Sequence, residues 1–122
     1  MGLLANSAFS RSLIILLSEA YSHRSYPFAI ELMEEKVIAG IRNSAYLRIS
    51  GIRLTLDNVV HREHEIKIHA SNILGFGLTA RLVKKAEYET EVQVIVCDKK
   101  LERIPNLEKD FLNEIKEALY VS

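Results

Sequence analysis

Five consecutive residues, His61-Arg62-Glu63-His64-Glu65, with His69 close behind, form the densest group of metal-ligand and acid–base side chains in the chain. On an extended strand His61, Glu63 and Glu65 share one face and His64 takes the other, so a joint site needs a turn that breaks the alternation. A zinc centre requires three or four converging ligands, and this group has neither a nearby cysteine nor two histidines at helical spacing. It therefore reads as a solvated hairpin tip, with no metal or catalytic role assigned to His61, His64 or His69.

Gly75-Phe76-Gly77 has the glycines of a phosphate loop but lacks the basic residue, the preceding strand and the following helix that supply anion-binding amides. Glycines at the start of a strand also allow the sharp bend that a curved sheet needs. The single cysteine, Cys97, cannot form an internal disulfide and lies beside a valine-rich run, which suits a packed thiol in a reducing setting. Tyr21, His23, Arg24 and Tyr26 occupy a serine-rich segment ending in Pro27. Here Arg24 can pair with a carboxylate. An ordinary surface loop would look the same.

These residues must be positioned by the elements around them. Leu3 and Leu4 can supply a first strand, and Ser10 or Ser12 can cap a buried helix over Leu13 to Ala20. Tyr21 to Pro27 is expected to be a loop or helix break. Phe28/Leu32 and Ile30/Met33 then support a short helical turn before the β-branched pair Val37-Ile38, with period-two alternation from Lys36 onward. Five runs alternate: Leu47/Ile49, Ile52/Leu54/Leu56, Ile66/Ile68, Phe76/Leu78/Ala80/Leu82 and Val92/Val94/Val96. Their connections, including Asp57 to Glu63 and Ser71 to Gly75, are too short for parallel crossovers, so the sheet is an antiparallel meander. Pro105 opens a helix to Val121 with the stripe Leu107, Phe111, Leu112, Ile115 and Leu119. Glu108, Lys109, Asn113, Lys116 and Glu117 are expected to cover its solvent side.

The fold class is thus α+β: a curved antiparallel meander wrapped around a C-terminal helix, with one or two short helices near the N-terminus. With 122 residues and no linker, residues 1–122 form one domain. Sixteen basic residues balance sixteen acidic ones, so no overall field recruits nucleic acid. The longest apolar run, Leu13 to Leu17, falls far short of the roughly 20 residues that span a bilayer, so no stable membrane insertion is expected. Cytoplasmic localisation is the default reading, and no cofactor is implied.

The order of elements resembles the START-like, helix-grip (SRPBCC-type) superfamily of hydrophobic-ligand-binding proteins. The likeness is nearest to a small archaeal START-like group of unknown function. It is carried by the helix end Leu17-Ser18 followed by Tyr26-Pro27-Phe28, by Gly75-Phe76-Gly77 opening a late strand, and by Leu107-Glu108-Lys109-Asp110-Phe111-Leu112. The resemblance implies non-catalytic binding of a small apolar molecule or lipid between sheet and C-terminal helix. Leu47, Ile49, Leu54, Leu56, Ile66, Ile68, Phe76, Leu78, Phe111 and Ile115 are the expected lining, and Arg24 and Tyr26 the polar contacts near the mouth. A ligand-free homodimer joined through an open sheet edge is the alternative. An enzymatic reading, by analogy with START-like cyclases and dehydratases, would enlist His23 and Arg24 with a sheet histidine.

Overall fold

The structure is a computed structural model that describes residues 21–43 and 53–120. The expected strand at Leu3/Leu4, the helix over Leu13 to Ala20 and the run Leu47/Ile49 lie outside the described residues. The described elements run β1 (Ser22–Tyr26), α1 (Ile30–Asn43), β2 (Thr55–Arg62), β3 (Glu65–Ser71), β4 (Gly77–Ala86), β5 (Glu89–Cys97) and α2 (Pro105–Tyr120). Five antiparallel strands form one sheet in the order β1-β5-β4-β3-β2, so β2 to β5 are the expected meander and β1 returns to pair with the last strand.

Side-chain alternation assigns the two faces of the sheet. Ile66, Ile68 and Ala70 on β3 stand opposite Leu82, Ala80 and Leu78 on β4, which in turn oppose Val92, Val94 and Val96 on β5. All nine are buried, and the two helices cover this face. Ile30, Met33, Val37 and Ile41 of α1 and Phe111, Leu112 and Ile115 of α2 complete a single core with them. At about 25 cal/mol per Å² of apolar surface removed from water, this layer is the main stabilising term of the fold.

Three local expectations are corrected. Tyr21 to Pro27 is largely strand, not loop: Ser22 to Tyr26 pair with Val94 to Thr90. The hydrogen-bonding edge that makes β1 extended belongs to a strand some seventy residues away, and its inward side chains Ser22, Arg24 and Tyr26 give no apolar alternation to read. Pro27 then ends the strand, because it has no amide to donate.

Lys36 to Asn43 is helix, not strand. The stripe Ile30, Met33, Val37, Ile41 has spacings of three and four, and the burial it permits outweighs the weak β preference of Val37 and Ile38, worth a few tenths of a kcal/mol each. Gly40 sits where α1 meets α2, and a Cβ there would lie 3.0 Å from Phe111 Cε1, so the close approach leaves little room for a larger side chain.

Asp57 to Glu63 is mostly strand as well. β2 continues to Arg62 across a bulge between Leu56 and Asn58, leaving only Glu63 and His64 to turn, the latter at φ 65°. The extra residue switches which parity faces the helices, so a strict period-two reading fails there. The β3–β4 turn falls where expected. The Asn72 side-chain oxygen accepts the amides of Leu74 and Phe76, and Gly75 adopts φ 93° against Lys99.

Candidate functional site

The histidine cluster is dispersed. His61 faces the helices and contacts Glu34 of α1 at 2.6 Å, whereas Glu65 lies on the opposite face and pairs with Arg81. His64 occupies the turn, and His69 contacts the Thr79 hydroxyl at 3.1 Å on the outer face. The bulge in β2 and the positive φ of His64 separate side chains that are neighbours in sequence. Among the described residues no group of three or more His, Cys, Asp or Glu side chains could hold a metal.

His23 and Arg24 are also separated, because adjacent strand residues leave opposite faces. His23 pairs with Glu91 at 3.1 Å on the outer face, and Arg24 points to the helix side with Ser22 and Tyr26. The outer face carries a further ladder in which Arg81 bonds Glu65 and Gln93, and Gln93 bonds Glu91. Cys97 is buried there with Ile95, and Tyr21 packs against the pair.

Of the expected apolar lining, Leu54, Ile66, Ile68, Leu78, Phe111 and Ile115 are buried members of the core, and Leu56 and Phe76 pack against it half-buried. Leu47 and Ile49 lie outside the described residues. Tyr26 is buried, and its hydroxyl donates to the Leu112 carbonyl at 2.8 Å, tying β1 to α2. Burial pushes its pKa up to about 12, and the positive charge of Arg24 beside it and the hydrogen bond between the two side chains oppose that rise.

Where β1 meets α2 a pocket of about 350 Å³ opens, lined by Tyr21, Ser22, His23, Arg24, Lys109 and Leu112. One of its walls is built around a residue whose position the sequence misplaced. Glu108 is not on the solvent side of α2 but 0% exposed. Its carboxylate accepts Ser22 Oγ at 2.7 Å, the Val96 amide at 2.9 Å and Arg103 Nε at 3.1 Å, and Arg103 Nη2 closes the second oxygen. The bond to Glu108 holds the Arg103 pKa above its ordinary value. A buried carboxylate survives only when it is paired and hydrogen-bonded in this way. The sequence signal was faint: Glu108 lies three and four residues before Phe111 and Leu112, on the edge of the apolar stripe.

Arg24 has no carboxylate partner among the described residues, and its guanidinium bonds the Tyr26 hydroxyl instead. Its Nη1 is buried and makes no hydrogen bond, and neither Arg24 nor Lys109 forms an ion pair among the described residues. An unsatisfied buried donor costs about 1–3 kcal/mol, more when charged. The pocket thus combines two positive side chains, a hydroxyl already committed to Glu108, and apolar surface from Tyr21 and Leu112. Chemically it can hold a small molecule with one anionic end.

Among the described residues no helix is long and apolar enough to cross a membrane. In comparisons with known proteins, no family model and no curated protein matches the chain.

Proposed function

We propose that the protein binds a small hydrophobic or amphipathic molecule, without catalysis, in the space between the sheet and its C-terminal helix where β1 borders α2. The observation that carries this reading is the pocket of about 350 Å³ between strand and helix, which mixes an apolar wall with unpaired cations. Its volume falls at the small end of the range typical of ligand sites, roughly 300–1,000 Å³. The START-like resemblance supports the same reading, since it implies a ligand between sheet and final helix. Phe111 and Ile115 are packed in the core and do not line this pocket.

The homodimer reading has weaker support. Among the described residues the outer strands are β1, only five residues long and followed by Pro27, and β2, which is bulged at Asp57 and exposes Asp57, His61 and Arg62. Short, bulged and charged edges discourage strand addition.

Native mass spectrometry of the freshly purified full chain, followed by denaturation and identification of whatever is released, tests the proposal. A stoichiometric apolar or amphipathic adduct is the expected result. A chain that is empty on purification and takes up none of a panel of small amphiphiles would overturn it.

A further inference from the structure

We infer that the β1–α2 pocket is selective for a monocarboxylate with a short apolar body, with Arg24 as the carboxylate's main contact and Lys109 as a second positive charge. This inference rests on the ligand-binding reading above and names the chemistry of that ligand. The argument begins with an inventory of the acceptors around Arg24. Glu108 is a buried carboxylate of the facing helix, and Arg103, Ser22 and the Val96 amide occupy it. The Leu112 carbonyl already accepts from Tyr26. Glu91, on the outer face, is engaged by His23 and Lys85. Arg24 therefore lines the pocket with no carboxylate partner among the described residues: Nη1 makes no hydrogen bond, and the acceptor beside the guanidinium is the Tyr26 hydroxyl.

A guanidinium presents two parallel N–H groups that match the two oxygens of a carboxylate, so the missing partner is an anion of that shape. Lys109 contributes a point charge to the same pocket, while Leu112 and the Tyr21 ring offer surface to an apolar body. A phosphate monoester fits less well. Its three oxygens call for a cradle of backbone amides, and Lys109 lies in the second turn of α2, past the free amides at the helix start.

Isothermal titration of the full chain with octanoate, 1-octanol and octyl phosphate tests the inference; the chain contains no tryptophan to report binding by fluorescence. Octanoate should bind about tenfold or more tighter than 1-octanol, as a charge-assisted bidentate pair warrants, and tighter than octyl phosphate. Arg24→Gln should abolish the gap between octanoate and octanol while changing octanol affinity less than about twofold. Arg24→Lys, which keeps the charge and loses the fork, should give an intermediate loss, and Lys109→Gln a loss of about threefold.

Equal binding of octanoate and octanol by the unaltered chain overturns the inference and leaves the ligand-binding reading standing. So does an Arg24→Gln variant, folded by circular dichroism, that still prefers octanoate. Tighter binding of octyl phosphate overturns the choice of carboxylate. Failure of the unaltered chain to bind any of the three overturns both readings together.

Discussion

Two arginines border the last helix, and their surroundings differ. Arg103 closes on Glu108, which is also held by Ser22 and the Val96 amide, so every charge and donor in that cluster has a partner inside the protein. Arg24, on the same face of β1 as Ser22, lines a pocket, has an unbonded Nη1 and meets the Tyr26 hydroxyl rather than a carboxylate. The first arrangement joins β1, β5 and α2 and contributes to stability. The second leaves a guanidinium without a carboxylate partner among the described residues. Both consist of an arginine at a sheet–helix seam, and only the count of available acceptors separates structure from binding capacity.

Removing the carboxylate should give the largest effect. Glu108→Ala strands the Arg103 charge and frees the Val96 amide and the Ser22 hydroxyl, and is expected to destabilise the fold by about 3–5 kcal/mol in urea unfolding. A loss below about 1 kcal/mol would mean that the cluster is not a structural tie, and the contrast with Arg24 would dissolve.

Alkaline pH provides the next largest effect. The Tyr26 pKa is pushed up to about 12 from an ordinary 10.0, so above pH 10 the unfolded chain loses a phenolic proton that the folded chain retains. Stability from this group is therefore complete below pH 10 and falls as pH rises towards 12, by roughly 2–3 kcal/mol in all. Tyr26→Phe should remove that portion of the pH dependence, while costing about 1 kcal/mol at neutral pH through the lost bond to Leu112. Because Arg24 opposes the rise, Arg24→Gln should steepen the alkaline loss. An identical slope in Tyr26→Phe and the unaltered chain would show that the hydroxyl ionises equally in both states.

Ser22→Ala removes one of four bonds to Glu108 and should cost about 1 kcal/mol, an effect readable in the denaturant midpoint. The smallest change is expected at Arg24 itself. In ligand-free protein Arg24→Gln should shift stability by no more than about 0.5 kcal/mol, since loss of the bond to the Tyr26 hydroxyl is offset by removal of a buried, unbonded Nη1. If it instead costs as much as Glu108→Ala, Arg24 is an anchor and the pocket is incidental to it.

The legibility of these features in the sequence follows the range of the interactions that make them. β3, β4, β5 and α2 were readable because apolar side chains repeat at two or at three to four residues, and burial on one face is the dominant free-energy term. α1 was half readable: its stripe was seen as far as Met33, and Val37-Ile38 suggested a strand because β-branched residues suit both a strand and the buried side of a helix. The bulge after Leu56 left no pattern, since it inverts the parity that the reading depends on. Arg24 and Tyr26 stand out by residue type, although the serines and Pro27 around them point to a loop.

By itself the sequence determined the α+β class, the antiparallel hairpins from β3 to β5 and the amphipathic C-terminal helix, all of which arise from contacts or periodicities within a few residues. Only the tertiary structure decided that Ser22 to Tyr26 would be a strand, that Glu108 would be buried, and that Arg103 rather than Arg24 would neutralise it. Ser22 and Tyr26 each meet their partner on α2 from 86 residues away. Whether a polar side chain is a surface group, a structural tie or an unpaired donor depends on which distant residue the fold places opposite it, and no local pattern encodes that choice.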